Sequence, residues 1–168
     1  MKASQAGADL TRAQLLAAEG ELSAALQHVD SLLEREPDAL PALLLKGSVQ
    51  LQLRQEEAAI RSFERATALA PESAEARNGL ARCQHSIGRD DLALQTAQQA
   101  RELLARPENY AQIAPVYLTL VWVHREQRRF REALDAAEQG LALCPDAVLA
   151  QWASVVEEEL EAAQQERC

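Results

Sequence analysis

The stretch from Leu40 to Pro71, LPALLLKGSVQLQLRQEEAAIRSFERATALAP, limits what this chain can fold into more than any other. Its apolar residues recur at steps of three and four, first from Leu40 to Leu53 and again from Ala59 to Ala66. A short polar turn separates the two runs. That period belongs to amphipathic helices, so the stretch predicts two helices folded back on each other. Gly47 stands where a missing side chain lets the helices approach closely. Leu40, Leu43, Leu44, Leu45, Val49, Leu51 and Leu53 lie nearly all round the first helix, which predicts a helix packed on most faces. Asp38 is its expected N-cap, and Pro41 is tolerated in the first turn. Glu56 and Glu57 open the second helix, where carboxylates complement the positive end of the dipole.

The rest of the chain repeats this design. Unit starts at Ala6, Leu40 and Ala74 are spaced by 34 residues each. The fourth starts at Ala114, after about six inserted residues, Glu108 to Ile113, that lengthen either the loop or its flanking helices. The expected repeats are 6–39, 40–73, 74–107 and 114–147, within one domain covering 1–168. Ser73 is placed to cap the third unit, and Asp90 and Asp91 open its second helix. Val116 to Val123 would pass for a buried strand on periodicity alone. It occupies a helix slot, however, and Phe130, Ala133, Leu134, Ala137 and Leu141 follow at the spacing of the second helix of unit two. Pro115 predicts a helix start or a kink nearby. A final amphipathic helix spans about 147–166, with Val148, Leu149, Trp152, Val155, Val156 and Leu160 on one face and acidic residues on the other. It reads as a cap for the open end of a stack.

A helix–turn–helix period of 34 resembles the tetratricopeptide repeat (TPR) family. The family's small residue in the first helix is matched by Ala13, Gly47 and Ala81, with Val121 a departure. Its alanine early in the second helix is matched by Ala25, Ala59, Ala93 and Ala133. The aromatic one turn later is present only as Phe63, and Val29, Ala97 and Ala137 replace it. The next alanine is Ala66 and Ala100, with Leu32 and Gly140 as departures. Pro37, Pro71 and Pro145 match the closing proline, and Ala105 takes its place in unit three. The resemblance implies an all-α fold: a right-handed α-solenoid of four helix–turn–helix units plus a C-terminal capping helix.

It also implies a protein or peptide ligand in a concave groove lined by the first helix of each repeat. The matching positions are Leu10, Gln14 and Ala17, then Leu44, Ser48 and Leu51, then Asn78, Arg82 and His85, then Leu118, Trp122 and Arg125. An exposed apolar strip at Leu44, Leu51, Leu118 and Trp122 would take an amphipathic helix or an extended peptide. Arg82 would hold a carboxylate, and Trp122 would be the hot spot. A subclass of the family binds acidic chaperone tails through Lys, Asn and Arg. The corresponding positions here are Leu10, Gln14, Leu45, Glu75 and Gly79, so that clamp is absent.

The remaining chemistry is sparse. A net charge of −9 opposes nucleic-acid phosphates and anionic membranes. The one dense basic run, Arg125 to Arg131, falls at a turn with Phe130 its lone aromatic. Cys83, Cys144 and Cys168 form no CxxC or CxxH spacing, so neither a disulfide framework nor a zinc site is expected. Cys83 reads as a small buried hydrophobe and Cys168 as an exposed thiol. His28, His85 and His124 are scattered, and no HExxH, GxSxG or phosphate-binding loop occurs. The expectation is a non-enzymatic, cytoplasmic adaptor, scaffold or chaperone-like module without cofactor or metal. The alternative is an assembly protein that self-associates through the groove or through a homodimer contact at the Trp152 helix.

Overall fold

The structure, a computed structural model, describes residues 2–166, with side chains from Ala6 onward. Cys168 lies outside the described residues. The described residues form nine α-helices: α1 Lys2–Ala18, α2 Leu22–Arg35, α3 Leu40–Gln52, α4 Glu56–Leu69, α5 Ala74–Ser86, α6 Asp90–Glu102, α7 Ile113–Glu126, α8 Phe130–Leu143 and α9 Ala147–Gln165. Two compact units result, Met1–Glu72 and Ser73–Cys168.

In the first unit α1 packs on α2 and α3 on α4, with α2 and α1 also meeting α3. Val29, Leu32, Ala13 and Ala42 form one buried cluster, and Leu16, Ala25 and Val49 another. Gly47 has the role its position predicts. A Cβ added there would lie 2.7–2.9 Å from the Phe63 ring. Real Cβ atoms do not come so near a neighbour, so Gly47 and Phe63 require each other. In unit four the volumes are exchanged: Val121 holds the position of Gly47 and Ala137 that of Phe63, both fully buried in one cluster. Gly140 departs from alanine for a similar reason, because a Cβ there would lie 2.8 Å from Tyr117 Cβ.

The second unit is built from α5 to α9, with α5, α7 and α9 in successive contact and α6 and α8 filling the layer beside them. Its core includes Val116, Leu120, Val121, Leu149 and Val156. α7 starts at Ile113, two residues before Pro115, within the first turn that proline tolerates. The inserted residues are neither a loose loop nor longer α-helices. Glu108 to Gln112 lie in the second of two 3-10 helices, Leu103–Ala105 and Pro107–Gln112, and Ile113 opens α7. Asn109 anchors them. Its Oδ1 accepts a hydrogen bond from the backbone N–H of Ala74 (3.0 Å), and its Nδ2 donates to the carbonyl of Leu103 (3.1 Å).

All four hairpins turn in the same way. Gly20, Arg54, Gly88 and Arg128 have φ of +83°, +59°, +73° and +57°. They hold one position of the repeat, fourteen residues after each unit start. At each, two backbone bonds close the helix: Arg54 N–H to Leu51 O and Gln55 N–H to Gln50 O in the second unit, Arg128 N–H to Arg125 O and Arg129 N–H to His124 O in the fourth. This is the Schellman ending, which satisfies carbonyls orphaned at a helix terminus.

The caps divide. Ser73 accepts from Ala76 N–H (3.2 Å), as its position predicts. Asp38 does not cap α3. The residue at that place is Ala39, and Asp38 instead pairs with Arg65 at 2.8 Å.

Candidate functional site

The first helices carry the residues in question. On α1 and α3, which touch, Leu10 packs against the core, Gln14 is exposed, and Ser48 and Leu51 are half-buried. Leu44 is only 8% exposed. The expected open apolar strip therefore does not include Leu44. A leucine on a helix packed on nearly all sides is drawn into the interior, where its apolar surface leaves water.

In the second unit the residues fall into three rows across α5, α7 and α9. The first row is Asn78, Leu118 and Trp152. Asn78 is 3% exposed and its Oδ1 has no hydrogen-bond partner. Leu118 and Trp152 are half-buried against the core. The second row is Arg82, Trp122 and Val156. Arg82 is half-buried and makes no ion pair among the described residues. Trp122 meets Trp152 edge to face, with centroids 6.4 Å apart and planes at 78°. The third row is His85, Arg125 and Glu159. His85 Nδ1 lies 2.7 Å from Asp90. Arg125 Nε donates to both carboxylate oxygens of Glu159, at 2.8 and 3.0 Å, and its guanidinium lies 5.4 Å from the Trp152 ring centroid. The hydrogen bonds to Glu159 hold the Arg125 pKa above its ordinary value.

Thus Trp122 packs against Trp152 of the final helix, and Arg125 is already neutralised by Glu159. Arg82, in the row between, keeps its charge unmatched among the described residues. Trp152 and Glu159 belong to the same rows as the expected residues, and reading the last helix as a cap or a homodimer contact left them out of the groove. The signal was available: a step of 34 from Ala114 lands on Val148, which puts Trp152 in register with Leu118. At the basic turn, Arg128, Arg129 and Arg131 are exposed, and Glu126, Glu159 and Glu166 share a cavity of about 410 Å³ with Arg125 and Arg128. The signs are mixed there. Among the described residues no group of three His, Cys, Asp or Glu side chains lies together to hold a metal ion, and no helix is long and apolar enough to cross a membrane.

Helix hairpins that recur in a 34-residue step up to the insertion, each closed by the same turn, define an all-α helical-repeat protein of the solenoid class. A family model for the tetratricopeptide repeat matches residues 10–60 and 44–106, more than half of the chain. The chain belongs to the tetratricopeptide repeat family. It is similar to the CTR9 homolog of Arabidopsis thaliana, 27% identical over 135 residues, which is 80% of this chain and 12% of that protein's length. Among solved structures it is similar to TTC0263, a thermophilic TPR protein of Thermus thermophilus, with a TM-score of 0.80, 19% identity and coverage of 92% of this chain and 82% of that one. It is also similar to the Cut9–Hcn1 hetero-tetramer of the APC/C, with a TM-score of 0.78, 21% identity and coverage of 90% and 29%. At these identities the structures speak for the fold.

Proposed function

We propose that the chain, read as one TPR domain, is a non-enzymatic protein–protein interaction module of adaptor, scaffold or chaperone-like kind. It holds a peptide or helix of a partner against the first helices of its second unit. The observation that carries this reading is Arg82, a half-buried guanidinium without an ion pair among the described residues, in the row of Trp122. A cation in the same repeat register as an aromatic side chain suits a carboxylate followed by an apolar residue. Leu118 adds apolar surface in the next row. The net charge of −9 favours protein over nucleic acid as the partner. The free thiol of Cys144 suits a reducing cytoplasm.

Affinity purification with quantitative mass spectrometry tests the reading, using wild type, Arg82→Glu and a matched surface control, Arg61→Glu. Proteins recovered by wild type and the control, and depleted about tenfold by Arg82→Glu, support it. Identical recovery by all three would overturn it. Trp152 spends its ring on Trp122 of the same chain, so light scattering at tens of micromolar is expected to give a monomer. A dimer would favour self-association instead.

A further inference from the structure

The insertion between the third and fourth repeats does more than lengthen a connection. It leaves a cavity of about 650 Å³, a size typical of sites for small ligands. None of the residues that line it belongs to the rows on α5, α7 and α9. Leu104, Ile113 and Leu143 give it an apolar wall, with Leu143 59% exposed to solvent. Two polar groups line the same wall. Tyr117 is only 5% exposed, yet its hydroxyl makes no hydrogen bond among the described residues. Arg101 makes no ion pair among them either. A guanidinium at the edge of an apolar wall selects an anion.

We propose that this cavity is a second binding site, for a small apolar carboxylic acid. The hydrocarbon body lies against Leu104, Ile113 and Leu143, the carboxylate pairs with Arg101, and Tyr117 is the available hydroxyl donor. A neutral apolar molecule would leave Arg101 unmatched, and a cationic one would be repelled by it. A polyphosphate would need more than one cation and would gain nothing from the wall. The site arises because six residues beyond the regular step bring Tyr110 and Ile113 to the end of α8, where Cys144 also lines the cavity. This proposal is independent of the partner-binding face on Arg82.

The test uses the full chain carrying Cys168→Ser, with octanoate, octan-1-ol and octylammonium titrated below their micellar range by calorimetry. Octanoate is expected to bind one to one, and octylammonium not at all. Arg101→Gln is expected to weaken octanoate about tenfold while leaving octan-1-ol unchanged. Cys144 supplies a second readout, since Cys83 is buried: octanoate should slow its alkylation by iodoacetamide about fivefold or more by occupying the cavity. Absence of saturable octanoate binding, equal binding of octanoate and octylammonium, or unchanged Cys144 alkylation would each overturn the proposal. The comparison of the three probes on the parent chain decides even if Arg101→Gln fails to fold. A leucine-terminated peptide that binds where octanoate does not would overturn it in favour of a protein terminus.

Discussion

At the residue scale, the left-handed positions of the four turns are the clearest case of one geometry met by two chemistries. Gly20 and Gly88 adopt positive φ freely, whereas Arg54 and Arg128 do so against the steric cost of a Cβ. That cost is about 1–2 kcal/mol, and a glycine's extra freedom in the unfolded chain offsets about half of it. Arg54→Gly is therefore expected to stabilise the protein by about 0.5 kcal/mol, read as a higher urea midpoint. Arg128 differs because its guanidinium lies 5.9 Å from the Phe130 ring centroid. Losing that contact cancels the gain, so Arg128→Gly should be close to neutral. Equal shifts in both variants would show that the cation–ring contact contributes nothing. The sequence marked the turn by Gly20 and Gly88, but Arg54 and Arg128 carry no local signal for positive φ. Only backbone geometry reveals them.

At the element scale, the interface within hairpins two to four holds one slot for a polar pair. In the second repeat Gln50, 6% exposed, accepts a hydrogen bond from Ser62 at 2.7 Å. In the third repeat Gln84 and Thr96 hold the same positions, but Gln84 Oε1 has no partner. In the fourth, His124 lies in the glutamine position and Ala136 in the serine position, so His124 Nδ1 is buried and unpaired. Burial is the main cause that pushes the His124 pKa below its ordinary 6.5, with Glu132 opposing and Arg129 and Arg101 adding to the depression. The sign follows from proton binding. The unfolded chain takes up the proton near pH 6.5 and the folded chain only at lower pH. The His124 contribution to stability is therefore complete above about 6.5 and is lost as pH falls from there to the folded-state value. His124→Gln with Ala136→Ser is expected to restore the pair seen in repeat two and to remove that loss. Urea unfolding at pH 8 and pH 5.5 measures it, and an equally steep decline in both proteins would refute the assignment. Helix pairing was legible here from periodicity alone. The orphaned nitrogen was not, because it depends on which residue of the partner helix faces His124.

At the scale of the whole molecule, a repeat protein gains its stability from neighbouring elements, so its parts need not unfold together. The larger buried cluster lies in 73–168, where Val116, Leu120, Val121 and Val123 make α7 its most deeply embedded helix. Native-state hydrogen exchange is expected to find the slowest amides in α7 and α8 and a separate, faster level for residues 1–72. A single exchange free energy throughout would contradict this. The sequence by itself determined the helix count, the hairpin pairing and the repeat step, because each depends on local periodicity and on small residues at fixed intervals. It also marked Gly47 as a place of close helix approach, while the Phe63 ring that fills the space is seen only in the structure. What only the tertiary structure decided is which groove candidates remain available. Leu44 is drawn inside, Trp122 is taken by Trp152, Arg125 is paired with Glu159, and Arg82 is left without an ion pair among the described residues. The cavity beside the insertion belongs to the same category. Both outcomes depend on contacts between residues about thirty or more positions apart, and a pattern along one helix does not encode them.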